Sequence, residues 1–374
     1  MKRLVALMIL LAGTASAQER PRPGASLRVE GYADDDSTLV LRPHVAGRAA
    51  VDEWIVGAAY GADVVSSASI DVVTRASRPI EEARHQIDVD AGWYGERAGN
   101  LAAGYTLALE PDFETHGLTL RGGVDLDHER MWHGSANLAF AFNRIRAVVV
   151  PTFERESATA QLGLALARIL GRGTLARATL EGSVTGGFQA SAYRNVRLGD
   201  WQGMPYEGDD PAAGPWVFSG VSGVARERHP ELRLRARVGV ELAQDLGSML
   251  ALVARVAFYG DDWGIVAGDL AAELRWEPER ALLLRLGLRG YVQHHAWFWR
   301  QRYASADETQ GFVTDDKELG PMRSYTLTLA AAIPIDPSVR LDVRADGTRY
   351  EYPGFTLLVD KHALAVQIGV VWTP

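Results

Sequence analysis

Residues 232–242 read Leu-Arg-Leu-Arg-Ala-Arg-Val-Gly-Val-Glu-Leu. Leu232, Leu234, Ala236, Val238, Val240 and Leu242 take the even positions, and Arg233, Arg235, Arg237, Gly239 and Glu241 the odd ones. A strand turns successive side chains to opposite faces, so this segment has one aliphatic face and one charged face. Val339, Leu341, Val343 and Ala345 alternate in the same way with Arg340, Asp342, Arg344 and Asp346. Between 281 and 291, Leu282, Leu284, Leu286 and Leu288 oppose Arg285 and Arg289.

Beyond residue 24 the same period of two predicts strands over 25–33, 38–50, 54–65, 80–94, 101–110, 115–127, 132–143, 158–168, 174–188, 231–244, 249–259, 264–276, 281–296, 323–334, 339–350 and 361–373. Most are long enough to cross a bilayer at a tilt, which takes about nine or more residues. The connections alternate. Short ones at 51–53, 95–100, 128–131, 169–173, 245–248, 277–280 and 335–338 hold turn formers such as Gly95, Gly171, Gly173, Gly247, Pro278 and Pro337. The other set includes long polar segments at 66–79, 144–157, 189–230, 297–322 and 351–360. Short turns at one end and long loops at the other mark an all-β, transmembrane, antiparallel up-and-down barrel. The expected count is about sixteen strands, with fourteen as the alternative; an even count puts both ends of the chain on the short-turn, periplasmic side.

Composition agrees. The 374 residues are 47% hydrophobic, yet the mean hydropathy is only -0.08, so apolar residues are dispersed rather than gathered into helical spans. A net charge of -8 argues against a nucleic-acid partner. Cysteine is absent, which removes disulfides, thiolate metal sites and a Cys nucleophile. Lys2, Lys317 and Lys361 are the only lysines. At the start, Lys2-Arg3, the apolar run Leu4 to Gly13 and Ala15-Ser16-Ala17 predict a signal peptide over 1–17 and Sec export in a Gram-negative cell. The barrel is then a single domain over 18–374.

Aromatic placement supplies an independent expectation. Trp54 and Trp132 begin strands leaving the short turns, while Trp93, Trp276 and Trp372 end strands returning to them, all with apolar-face parity. They are expected to form an interface girdle. Phe142, Phe188, Phe258 and Tyr325 are expected to form a second ring at the opposite end. The closing segment Leu364, Val366, Ile368, Val370 and Trp372 has the form that barrel assembly machinery recognises, although Thr373 and Pro374 follow the aromatic.

Tyr32 with Asp34-Asp35-Asp36, Arg42-Pro43, Asp63-Val-Val-Ser-Ser-Ala-Ser69, and Glu110-Pro111-Asp112-Phe113 before His116-Gly117 resemble the bacterial "domain of unknown function 3570" family. The specific motifs cover the first third of the chain. The resemblance implies an outer-membrane barrel and no established activity. The Asp63 motif is nearly repeated as Asp71-Val-Val-Thr-Arg-Ala-Ser77, read either as an extracellular hairpin or as a loop constricting the lumen.

Charges facing lipid near the midplane would cost about 2–4 kcal/mol each, so those with inward parity are expected to line the interior. Arg233, Arg235, Arg237, Arg255, Arg285 and Arg289 make an anion-biased patch, partly offset by Glu241, Asp269 and Glu273. These nine are the candidate pore-lining residues; a salt-bridged structural lumen is the other reading. The loop aspartates (34–36, 209–210, 261–262 and 315–316) lack the regular spacing of a calcium loop and are expected to be solvated. The loop tryptophans Trp201, Trp216, Trp297 and Trp299 are expected to pack on one another, with contact to a sugar or lipid headgroup as the alternative. His133, Ser135 and Asn137 share an inward face without the surroundings of a barrel phospholipase, and His294-His295 are expected on opposite faces. No nucleophile elbow, P-loop or zinc motif is present. The sequence therefore predicts a porin-like passive channel or structural barrel, not an enzyme, without cofactor or metal. Its expected partners are outer-membrane lipid, the assembly machinery and small solutes. The alternatives are a binding or transport component acting through loops 189–230 and 297–322, and a barrel hydrolase.

Overall fold

A computed structural model describes residues 21–67, 69, 80–95, 99–148, 150–206, 216–247, 249–279 and 282–374. The signal segment, the second copy of the Asp63 motif and Asp209-Asp210 lie outside the described residues. The strands are β1 (Gly24–Asp34), β2 (Thr38–Val51), β3 (Trp54–Ser67), β4 (Ile80–Gly95), β5 (Gly99–Leu109), β6 (Phe113–Asp125), β7 (Trp132–Ala147), β8 (Val150–Gly171) and β9 (Thr174–Gly187). Four short strands follow, β10 (Asn195–Leu198), β11 (Gln202–Pro205), β12 (Trp216–Ser219) and β13 (Gly223–Arg226). The series ends with β14 (Leu232–Gly247), β15 (Leu250–Asp261), β16 (Val266–Glu279), β17 (Leu282–Gln293), β18 (Met322–Pro334), β19 (Val339–Glu351) and β20 (Asp360–Trp372).

β1–β9 and β14–β20 pair in chain order, all antiparallel, into one closed barrel of sixteen strands. Closure is made by β1 on β20, in register from Ala25 opposite Trp372 to Asp34 opposite Ala363. No helix among the described residues is long and apolar enough to cross a membrane; the crossing is made by strands. Closure leaves no sheet edge with unpaired N–H and C=O groups, the condition for a sheet in hydrocarbon.

The two faces separate as the alternation requires. Val240, Leu270 and Leu288 face outward at 54%, 66% and 61% exposure, in a continuous aliphatic skin with their neighbours on every barrel strand. Trp54 and Trp93 stand opposite each other, and Trp132, Trp276 and Trp372 share their face and end of the barrel. Phe142, Phe258 and Tyr325 are exposed on the outer face toward the other end. Phe188 departs from that expected ring. It lies beyond the end of β9, with its ring 5.5 Å from that of Phe153.

One expected loop is a strand pair. Residues 144–147 and 150–157 continue β7 and β8, and the charges that made the segment look like a loop face outward as a ladder. Arg144 Nε lies 3.3 Å from Glu154 Oε1, and Arg146 Nη2 lies 3.8 Å from Glu114 Oε2. Outward charges are tolerated where a strand projects past the hydrocarbon. In the other direction, β17 stops at Gln293, short of the expected 296; His294 and His295 stack with ring centroids 4.2 Å apart rather than pointing to opposite faces.

Leu288→Arg is expected to destabilise the barrel by about 2–4 kcal/mol, measured by denaturant titration of protein refolded into lipid vesicles. Val224→Arg, equally exposed at 63% but outside the barrel, is expected to stay within about 0.5 kcal/mol of the parent. Equal effects would remove the distinction between a lipid-facing and a water-facing apolar side chain.

Candidate functional site

Two features stand out on the inner side of the barrel: a cationic wall on β14–β17 and a folded cap over the loop-bearing mouth. On the wall, the register sets Gly239, Ala257, Asp269 and Tyr291 side by side across four strands. The row below holds Glu241, Arg255, Ala271 and Arg289, and the row above begins with Arg237 and Tyr259. Gly239 and the alanines are too small to fill the space above them, so long side chains from the flanking rows lean across to Asp269. Arg237 Nη2 lies 2.9 Å from its Oδ2, Arg289 Nη2 3.5 Å from Oδ2, and Arg255 Nε 3.7 Å from Oδ1. The Asp269 side chain is 5% exposed, whereas the three arginine side chains keep 37–42%.

The remaining candidates divide. Glu273 accepts Arg275 Nε at 2.7 Å and is satisfied locally. Glu241 stands in register between Arg177 and Arg255. Arg235 and Arg285 share the inner face. Arg233 is set apart: it donates to Asp261 at 2.9 and 2.5 Å beneath the Trp263 ring and is 3% exposed. His133 Nδ1 lies 3.0 Å from Asp125 Oδ1, in a pairing that leaves out Ser135.

The cap is built from the β9–β14, β17–β18 and β19–β20 connections. Within the first, β10 pairs with β13 and β11 with β12. Ala192 packs with Ile145, Ala147 and Phe153 on the β7–β8 rim. Nine residues on, Trp201 packs with Tyr352, Phe355 and Leu357 on the β19–β20 rim. In a ring of sixteen strands these rims are half a turn apart, so the connection crosses the mouth. The β17–β18 connection interlocks with it. Val196, Tyr303 and Val313 form one cluster, and single bridges join Leu198 to Tyr303 and Arg228 to Val313. Of the loop tryptophans, Trp201 and Trp216 meet in the β19–β20 cluster, Trp299 is buried in a separate one with Trp263 and Phe298, and Trp297 stays at the surface.

Buried ion pairs tie the cap together. Arg194 Nη1 contacts Glu227 Oε1 at 3.2 Å and also reaches Asp316; His229 Nε2 lies 3.4 Å from Glu227. Burial alone would raise the Glu227 carboxyl, but Arg194, His229 and the Thr314 hydroxyl outweigh it and hold the group well below the usual carboxylate range. The three consecutive aspartates of the β1–β2 turn each take a different partner: Asp34 binds Lys361 at 3.0 Å, Asp35 contacts His362 at 3.1 Å, and Asp36 binds Lys317 at 3.1 Å. They clasp the β1–β20 seam and the cap; the Asp34 side chain is 1% exposed and Asp36 7%, so the expectation of solvated loop charge is corrected for these two, whereas Asp35 stays exposed as expected. Asp261 and Asp316 are likewise committed to Arg233 and Arg194. Sequence reasoning missed Arg194, Glu227 and Lys317 as cap residues. The available signal was the rarity of lysine, since both lysines beyond Lys2 end in this clasp, where a compact ammonium fits better than a planar fork. Elsewhere, Glu82, Glu110 and Asp112 bring carboxylate oxygens within 4.8 Å of one another, with Arg84 Nε 3.6 Å from Glu110 as counter-charge.

Lys317→Ala is expected to leave the Asp36 carboxylate buried without its ammonium and to loosen the cap by about 3–5 kcal/mol, with Lys317→Ala/Asp36→Ala milder than the sum of the single changes. Hydrogen exchange of residues 294–321 measures this; additive effects would refute the pairing. The lowered Glu227 carboxyl also sets a direction with pH. Its folded value lies below its unfolded one, so its contribution is complete above an unfolded value of about 4.3 and is lost as pH falls through the folded value. Cap amides are expected to keep their protection at pH 5 and lose it in stronger acid, and Glu227→Gln to remove this part of the acid response. A cap that loosens already between pH 7 and 5 would contradict the assignment.

The fold is similar to that of solved outer-membrane barrels. One is described as a bacterial polysaccharide outer membrane secretin, 11% identical, with 95% of this chain and 100% of that chain covered and a TM-score of 0.51. CdiB from Acinetobacter baumannii is 8% identical over 94% of this chain and 61% of its own, with a TM-score of 0.48. The P. putida toluene transporter TodX is 9% identical over 95% and 91%, with a TM-score of 0.42. No curated protein matches the chain. A family model described as "Protein of unknown function (DUF3570)" matches residues 119–352, more than half of the chain. The residues on which the resemblance was read, between 30 and 117, lie before the matched segment, which instead spans the cationic wall and most of the cap. The chain therefore belongs to the DUF3570 family of proteins of unknown function.

Proposed function

We propose that the protein is an outer-membrane channel for small hydrophilic solutes, exported with its first seventeen residues as a signal peptide and closed at its loop-bearing mouth by the cap. The observation that carries this reading is the state of the inward arginines. Arg237, Arg255 and Arg289 point to the interior yet keep 37–42% of their side-chain surface open. A purely structural lumen would cover such groups with opposing side chains; these line space that water can fill. The five girdle tryptophans anchor the barrel at its lower interface, and lipid covers the aliphatic skin.

A second reading is a binding component that meets a partner through the cap. It is favoured by Met204 and Val217, which stand opposite each other on β11 and β12 and are 57% and 43% exposed. Co-purification of a partner that is lost with Met204→Asp/Val217→Asp would favour it.

The channel reading is tested in planar bilayers. The chain has no cysteine, so Asp36→Cys/Lys317→Cys can be bridged by a short reducible cross-linker at that one place. The parent is expected to open infrequently, the bridged form to stay shut, and the reduced form to open more often than the parent. Equal conductance in bridged and reduced forms would take the cap out of the path. Absence of conductance in every form, Lys317→Ala included, would sink the channel.

A further inference from the structure

We infer that the β14–β17 wall carries a binding site for a doubly charged oxyanion, a phosphate group, centred on Asp269 and walled by Arg237, Arg255 and Arg289; this deepens the channel reading by naming a solute class. The first argument is charge. Three guanidiniums share one carboxylate, which leaves two positive charges uncompensated, the complement of a dianion. Widening the circle does not cancel the excess. Arg177, Arg235 and Arg285 stand on the same inner face, against Glu241 in register with Arg177 and Arg255 and Glu181 in register with Arg237, while Glu273 is bound by Arg275.

The second argument is geometry. Ala257 and Ala271 form the floor of a bowl, with the Thr179 hydroxyl covering Gly239 on the β9 side, Tyr259 in the row above and Tyr291 at the β17 end of the Asp269 row. Ala257 is 3% exposed because the arginine side chains lean over it, while those arginines keep 37–42% of their own surface open toward the lumen, so a ligand would meet the guanidiniums from the lumen side. Asp269 engages one edge of each arginine and orients them. Each guanidinium has five N–H donors in a fixed fork, and one shared carboxylate cannot use them all. The Nε groups of Arg235 and Arg285, on the same wall, are buried and have no hydrogen-bond partner. Donors converging from three strands suit a tetrahedral group with several acceptor oxygens better than chloride, which offers charge without direction.

The third argument is contrast with the other side of the barrel. In the ring of sixteen, β16 lies opposite β4, whose inward charges Glu82, Arg84, Asp88 and Asp90 sum to two negative. A dianion in the lumen is therefore drawn to the β14–β17 wall and not to the facing one.

The test is calorimetric titration of the detergent-folded protein with inorganic phosphate, glycerol 3-phosphate and, for comparison, chloride at constant ionic strength. Saturable binding of a phosphate compound, at least ten-fold preferred over chloride, is expected. Preference between the two phosphates assigns a free ion or a monoester, and either supports the site. Arg289→Ala and Arg237→Ala are each expected to weaken binding ten-fold or more, Arg255→Lys less than that. Arg340→Ala, whose arginine pairs with Asp342 on another part of the lumen, is expected to leave it unchanged. Heat-modifiable gel mobility checks that every variant is a closed barrel. Equal response to phosphate and chloride, or binding indifferent to Arg289 and Arg237, would overturn the site. Phosphate binding without conductance would sink the channel and spare the site; conductance indifferent to phosphate and to the arginine variants would do the reverse.

Discussion

Hydrocarbon offers no hydrogen-bond partner, and the pairing of β1 with β20 answers that constraint for the whole sheet. Once the sheet is closed, its period of two leaves each residue one of two environments. Aliphatic side chains form the outer skin, and the charges of the crossing segments go inside. The arginine-rich interior is thus first a consequence of closure. It becomes chemically interesting only where the charges fail to balance, as they do around Asp269.

The strands were legible because the period is local. The expected span 54–65 is observed as Trp54–Ser67, and 339–350 as Val339–Glu351. The errors share one physical cause. The alternation rule assumes that the outer face is greasy, which holds only at membrane depth. Above it, β7 and β8 keep the strand and put Arg144, Arg146 and Glu154 outside in water, so the same geometry reads as a polar loop. Phe188 failed for the converse reason, since its parity was right but its strand had already ended.

The cap was illegible because its stabilising contacts have no period. Asp36 and Lys317 are 281 residues apart in the chain, and Thr314 reaches Glu227 across 87. Composition held a trace of it, in two lysines kept by a chain that otherwise uses arginine. The Asp269 wall lies between these extremes. Alternation placed its residues on one inner face, but only the register shows that Ala257 and Ala271 open a bowl between them.

The charges of the cap and of the wall use the same residue types to different ends. In the cap, cation and carboxylate meet nearly one to one under full burial, as with Lys317 and Asp36. Such pairs add little net stability over an apolar contact, because desolvation offsets most of the attraction. Their effect is selectivity, since a misplaced cap would bury a charge unpaired, and that penalty holds the loops in one arrangement across the mouth. On the wall, three cations share one carboxylate and remain half open to water, so the carboxylate aligns them without neutralising them. The first arrangement leaves no charge for a ligand, and the second leaves the positive excess on which the proposed anion site rests. In the proposed channel, a mouth closed by balanced pairs and an unbalanced cluster in the lumen would separate the control of access from the recognition of a solute.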